Sequence, residues 1–314
     1  METRAKRRKL SAMPSTSFED LPDEIILKIL DFLSFYWKVR CLRVSKRIRR
    51  ITSDQSQWHT ASLDGNKIPG KFGGLSHCPI PFSFINHFLK NGCKNLQMMN
   101  IGLVRWHGIG CAKNNQLKRL DLDKVVGNEE EHKLFSLQDW DQFIKSCKSL
   151  QIFSLDIARP GLNSFTNFSQ APIIQRICLQ NKETLQVLKL ALPSISFKSI
   201  RTIVDHCAEL KELSISIYDN IRQPLSCEQL TYLVENLTPN IEKISLRRTG
   251  RNLNEKHLKT LVTRFEKNTE GLDLRESGAT WESFIAVSKA HGQFEQDQFD
   301  KLKKQGYILK GLIW

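Results

Sequence analysis

Residues 18–33 read FEDLPDEIILKILDFL, and the placement of this run decides the fold of the N-terminal block. An acidic lead and the Leu21-Pro22 pair give way to an almost wholly apolar stretch. On a helix, at about 100° per residue, Ile25, Ile26, Ile29, Leu30, Phe32 and Leu33 cover an arc of roughly 160°, and Leu27 widens it to roughly 220°. Only Lys28 and Asp31 remain on the other side. A surface helix of a self-contained domain needs a narrower stripe, so this one asks for burial from two directions. A block of roughly 45 residues is too small to supply both, and a partner is the simplest source of the second. A fully buried helix inside a larger domain is the plainer reading of the same pattern.

The residues that follow keep a regular spacing. Pro22 sits where a first-turn proline is tolerated, with Asp20, Asp23 and Glu24 favouring a helix N-terminus. Ser34 breaks the pattern, and a second apolar period runs through Trp37, Val39, Cys41, Leu42 and Val44. A basic segment, Lys46-Arg47-Ile48-Arg49-Arg50-Ile51, and then Trp58 complete the block. It resembles the F-box, through Leu21-Pro22-Asp23-Glu24-Ile25, Ile29-Leu30, Leu33, Leu42, Val44-Ser45-Lys46-Arg47 and Trp58. The sequence departs from that family at Ile48, where an aromatic residue is frequent, and at Phe35-Tyr36-Trp37, where a polar turn is frequent.

Beyond Leu96 a short pattern, apolar-x-x-apolar-x-apolar, recurs. It appears at Leu96, Met99, Ile101; at Leu117, Leu120, Leu122; and at Leu150, Phe153, Leu155. It returns at Leu185, Leu188, Leu190; at Leu210, Leu213, Ile215; and at Ile241, Ile244, Leu246. A degenerate copy has Thr269, Leu272 and Leu274. The spacing resembles the leucine-rich repeat, with the longer gaps read as insertions. Each copy ends in period-two alternation, as a short strand does. Between copies lie helical stretches with Ser, Asn or Thr starts: Ser196 to Cys207, Ser226 to Asn236, Asn254 to Phe265 and Thr280 to Lys289. A strand-helix unit of this size cannot bury its own apolar face, so units stack into a solenoid. The expected fold is therefore α/β: a small helical F-box, then a solenoid with parallel strands on the concave face and helices on the convex face. The expected boundaries are a basic tail at 1–17, the F-box at 18–62, a Gly/Pro-rich linker at 63–80 and repeats at 81–314. Tyr307-Ile308-Leu309 and Leu312-Ile313-Trp314 are read as the cap that closes the open end.

The 314 residues, with 40% hydrophobic and 9% aromatic content, describe a folded chain and no membrane span. The N-terminal segment lacks the apolar run of a secretory signal. Eight scattered cysteines read as free thiols in a reducing compartment. Cys93, Cys147 and Cys207 each stand three residues before a repeat's first leucine, which argues for packing at a helix end rather than zinc. The net charge of +14 admits nucleic acid or an acidic partner, but no basic stripe interleaves with aromatics. Gly70-Lys71-Phe72-Gly73-Gly74 lacks a phosphate-binding spacing, and neither a G-x-S-x-G elbow nor an H-E-x-x-H motif occurs. His77 beside Cys78, and His107 near Cys111, are weak metal pairs; no cofactor, metal or catalytic residue is expected.

Taken together, the two motifs resemble the F-box/leucine-rich-repeat substrate receptors of Skp–cullin–F-box ubiquitin ligases. That resemblance implies docking on the Skp adaptor, and through it on cullin, RING and ubiquitin-conjugating subunits, by Leu21, Pro22, Ile25, Ile29, Leu30, Val44 and Trp58. It implies that the repeats hold the protein to be ubiquitinated, with no active site in this chain. On the concave face the early copies bring Asp121, Asp123 and Asp156, and the late copies Lys243, Arg247, Asp273 and Arg275. Lys243, Arg247 and Arg275 are thus candidates for an acidic or phosphorylated target segment, with an Arg–Asp273 ion pair as the plainer reading. The insertions at 123–136 and 157–172 are the fallback. Arg4, Lys6, Arg7, Arg8 and Lys9 read either as a nuclear-import signal or as an ordinary solvated terminus, in a protein of the nucleus and/or cytoplasm. A Skp-bound scaffold without ligase activity and a nuclear nucleic-acid or chromatin binder are the alternative functions.

Overall fold

The computed structural model of the chain describes residues 18–33, 35–58, 60–62, 98–102, 117–125, 144–145, 147–157, 171–217, 225–249, 252–265, 271–274 and 277. The chain divides into two compact units, Met1–Trp58 and His59–Trp314.

The first unit is helical. A turn of 3-10 helix at Phe18–Asp20 precedes α1 (Asp23–Asp31), α2 (Phe35–Cys41), α3 (Lys46–Thr52) and a last 3-10 turn at Gln55–Trp58. Pro22 stands at the N-cap of α1 with φ −55°, and Asp23 and Glu24 follow in its positive first turn. Ser45 caps α3 by accepting from the Ile48 N–H at 3.2 Å. Ile26 and Leu30, one turn apart on α1, meet Ile48 and Ile51 of α3 in the core. Leu21, Leu27, Leu33 and Cys41 pack around them.

The second unit is built on one parallel sheet, in the order β1 (Thr60–Ser62), β2 (Met98–Gly102), β3 (Arg119–Val125), β4 (Ile152–Ile157), β5 (Val187–Leu192), β6 (Glu212–Ile217), β7 (Lys243–Arg247) and β8 (Leu272–Asp273). The recurring pattern accounts for β2 to β8. Its second and third positions align across the sheet, for example Leu120–Phe153–Leu188–Leu213–Ile244. These side chains are at most 1% exposed. The first position of each copy is buried at the turn that enters the strand, as at Leu117, Leu150, Leu185 and Leu210. β1 carries no such pattern and is added ahead of it.

The crossovers are helices where described: α4 (Ala171–Gln180), α5 (Phe197–His206), α6 (Cys227–Asn236) and α7 (Glu255–Arg264). Their starts are chemical. Ser196, Ser226 and Asn254 cap α5, α6 and α7, and the last two complete capping boxes with Gln229 and His257. Successive units are also tied by polar groups. The buried Asn181 amide accepts from the Leu150 N–H at 2.9 Å and donates to Ile177 O at 3.0 Å. Thr184 donates to Leu150 O at 2.9 Å. Cys147 and Cys207 are buried free thiols, the latter at the C-cap of α5, as the packing reading expects; Cys93 lies outside the described residues. The Cys178 thiol is pushed well above its ordinary pKa, first by its hydrogen bond with Cys207 and then by burial. The 280–289 helix, the linker and the C-terminal cap lie outside the described residues.

Candidate docking surfaces

Helix α1 divides its apolar residues between two sides. Ile26 and Leu30 face the unit's own core, at 0% and 2% exposure. Ile25, Ile29 and Phe32 are left open, and Phe32 at the C-cap is 90% exposed. Phe18, Trp37 and Val44 are exposed as well. Among the described residues of this unit, the second burial direction that the sequence asks for is therefore unfilled.

The Leu21-Pro22 turn is held from behind. The Arg47 guanidinium donates from Nη2 to Leu21 O at 2.7 Å and to Asp23 Oδ1 at 2.5 Å, and from Nε to Asp23 Oδ1 at 3.1 Å. Arg50 adds a contact to Asp23 Oδ2 at 2.8 Å. The Arg47 hydrogen bond holds the Asp23 carboxyl below its ordinary pKa. This clasp fixes α1 against α3 and presents Leu21, half-buried, and Pro22, exposed.

Of the seven residues expected to dock the adaptor, Pro22, Ile25, Ile29 and Val44 are exposed and Leu21 is half-buried. Leu30 and Trp58 are 2% and 1% exposed in the free chain. Trp58 is pinned from within, its Nε1–H donating to Thr52 O at 2.6 Å. These two support the face from inside the unit. Phe32 belongs to the apolar arc read from sequence but not to the docking set, and its exposure is what adds it. Trp37 sits in the aromatic trio that departs from the F-box pattern, with the Arg40 guanidinium 5.5 Å from its ring centre.

The sheet of the second unit offers a different surface. Its open face, concave in solenoids of this type, is polar. Arg119 donates to the buried Asp121 at 2.7 Å, Lys189 meets Glu212 at 2.8 Å, and Arg247 donates from Nε to Asp273 Oδ2 at 2.8 Å. The plainer reading of Arg247 thus describes its geometry: one carboxylate oxygen takes its Nε and Nη2 donors. Lys243 is exposed at the start of β7. Arg275, the tail cations Arg4, Lys6, Arg7, Arg8 and Lys9, and the weak metal pairs lie outside the described residues. Between β4 and β7 the open face sinks into a cavity of about 330 Å³ whose lining includes Ser154, Asp156, Lys189, Ser216, Arg247 and Arg248. Among the described residues no group of three or more His, Cys, Asp or Glu side chains is arranged to hold a metal ion, and no helix is long and apolar enough to cross a membrane. Lys189 holds the repeat position of Asp121, between the second and third apolar residues of its copy, whereas Arg248 escapes a reading by repeat position. Arg248 gains its place from the backbone turn after β7.

Residues 18–64 match the F-box-like family model. Two solved structures are among those similar to the chain. One is the leucine-rich-repeat-containing protein LegL7 from Legionella pneumophila, at 13% identity and a TM-score of 0.39, over 73% of this chain and 60% of that one. The other comes from the Rad7 and Elc1 complex in yeast, at 15% identity and a TM-score of 0.45, over 90% of this chain and 81% of that one. The chain thus carries an F-box-like domain followed by a leucine-rich-repeat-type sheet and its helices.

Proposed function

We propose that this chain is the substrate-recognition subunit of a Skp–cullin–F-box ubiquitin ligase. The observation that supports this most is the unfilled apolar side of α1 within a domain that matches the F-box-like model. Leu21, Pro22, Ile25, Ile29 and Val44 contact the Skp adaptor, with Phe32 alongside them, while Leu30 and Trp58 hold the face in shape. Burying each aliphatic side chain contributes about 1.5–3 kcal/mol, so a few suffice for stable docking. The adaptor links the chain to cullin and RING subunits, and the open face of the sheet holds the target. The chain's own contribution to the chemistry is proximity: a held target lysine meets the ubiquitin thioester as if in one molecule. Lys243, Arg247 and Arg275 are the target-contacting cations of this reading. The basic tail directs the protein to the nucleus, and deleting residues 1–12 removes the nuclear signal of a tagged chain.

The test is co-purification. Replacing Leu21 and Pro22 together with Ala weakens adaptor capture at least about tenfold while circular dichroism stays native. Unchanged capture by a folded double mutant overturns the proposal. Cullin in the same pull-down supports the ligase, and adaptor without cullin supports a scaffold instead.

A further inference from the structure

The turn between α2 and α3 carries charge that the helical unit leaves unpaired. Residues 38–50 hold seven cations and no acid. Five of the seven are engaged inside the unit. Lys38 donates to Gln57 O at 3.1 Å, and Arg49 donates to Leu42 O at 2.9 Å. Arg47 and Arg50 close on Asp23, and Arg40 lies over the Trp37 ring. Arg43 and Lys46 are exposed, and among the described residues neither side chain has an ion-pair or hydrogen-bond partner. The first turn of α3 holds no acid that could pair with Lys46.

These two cations bracket Val44, which is 67% exposed. The backbone fixes all three. The Arg43 N–H donates to Arg40 O at 3.0 Å, the Val44 N–H donates to Cys41 O at 3.1 Å, and Ser45 then caps α3. The Arg47 contact with Leu21 O ties this first turn of α3 to the Leu21-Pro22 turn. The free cations therefore stand beside the apolar docking side chains and not on a remote surface.

A partner that buries Val44 must bring its own surface up to Arg43 and Lys46. Covering an unpaired charge is unfavourable, so the surface that fits is an apolar socket rimmed by carboxylates. We infer that Arg43 and Lys46 meet carboxylates of the adaptor on either side of the socket that takes Val44, an assignment that rests on the receptor reading above. Buried apolar contacts set how long such a complex lasts. Charges at the rim set how fast it forms and which partners are refused. A nucleic acid is the poorer occupant. Its footprint draws on about 6–10 phosphate contacts, and here two cations remain with an apolar side chain between them.

Association kinetics of the full chain with the purified Skp adaptor test this. The natural chain is expected to associate about tenfold more slowly in about 1 M than in about 0.1 M salt, as the screening length falls from about 10 Å to about 3 Å. Arg43→Glu with Lys46→Glu lowers the association rate in about 0.1 M salt roughly tenfold, removes the salt dependence and leaves dissociation within about twofold. Val44→Ala does the reverse, speeding dissociation with association unchanged. Lys28, exposed on α1, is the control. Lys28→Glu makes the same change in net charge as either single reversal and leaves the association rate within about twofold. Association that ignores salt and both reversals, or that Lys28→Glu slows as much as Arg43→Glu, overturns the inference. So does binding of an RNA or DNA duplex that is lost with the pair while adaptor kinetics stay unchanged. Adaptor binding with salt-indifferent association sinks the cation pair alone. A natural chain that binds no adaptor sinks the receptor reading and the pair with it.

Discussion

Phe18, Ile25, Ile29, Phe32, Trp37 and Val44 lie exposed in the helical unit, whereas Leu179 is the one large apolar side chain exposed among the described residues of the repeats. The contrast follows from how each region closes its core. A repeat buries its strand leucines against its own helix and against the next repeat, so apolar residues are used up inward as the units stack. The helical unit has no neighbour of its own kind, and its small volume covers only one side of α1. Its remaining apolar side chains, Ile25, Ile29 and Phe32, lie at the surface. The repeats, with their apolar residues spent, present a polar, charge-patterned face instead. One region is left with apolar area at its surface, the other with paired charges.

The comparison breaks or holds first on two phenylalanines. Phe153 of β4 is 0% exposed, and its register neighbours are Leu120 and Leu188. Phe153→Ala is expected to destabilise the repeats by about 3–5 kcal/mol, read from urea unfolding of the sheet. Phe32, 90% exposed, should tolerate Ala within about 0.5 kcal/mol while adaptor capture weakens. A Phe32→Ala protein that unfolds as readily as Phe153→Ala would mean that the open face is part of a core.

Next in size is the polar tie between repeats. Asn181 is 1% exposed and serves two backbone groups, the Leu150 N–H and Ile177 O. Asn181→Ala leaves the buried Leu150 N–H without its acceptor, while Ile177 O keeps the backbone N–H of residue 181, and the change should cost about 1–3 kcal/mol. Hydrogen exchange at the Leu150 amide is the direct readout. Unchanged protection there would show that this tie contributes nothing to stacking.

The parts of this fold legible in the sequence are those with a repeating physical demand. Leucines at fixed spacing mark β2 to β8 because every strand must bury the same two positions. Ser196, Ser226 and Asn254 mark helix starts because a free N–H needs a side-chain acceptor. Thr60–Ser62 gives no such signal, since a three-residue edge strand takes its stability from pairing with β2 rather than from its own pattern. In the helical unit the period of α1 announces its excess of apolar surface, but not how that surface is shared. Only packing distinguishes Leu30, spent on the core, from Ile29 one residue earlier. The cavity is illegible for a related reason: Asp156 and Arg247 are 91 positions apart, and the register that aligns them is a product of the whole stack.

The smallest effect separates the two regions by pH. His257 occupies the third position of α7 and closes its capping box, with Nδ1 accepting from the Asn254 N–H at 3.2 Å. Its Nε2 lies 2.8 Å from Thr231 Oγ1 on α6, so the neutral ring donates there and ties the two helices. Burial, then the nearby Lys256 charge, holds its pKa below the ordinary 6.5. Because the folded value is the lower one, the unfolded chain binds the proton more readily. The stability from this group is complete above 6.5, and it is lost as pH falls from there through the folded pKa. The helical unit answers in a different window. Its Asp23, held below 3.8 by Arg47, contributes stability above that value and loses it only as pH falls through the folded pKa. Mild acid should therefore loosen the repeats while leaving the Asp23–Arg47 clasp intact. His257→Gln keeps a capping-box residue and removes the proton site. Between about pH 7 and pH 5, where histidine titrates and Asp23 does not, the natural chain should lose more thermal stability in the repeats than the variant does. Parallel losses in the two proteins would show that the ring nitrogen facing Asn254 already carries a proton.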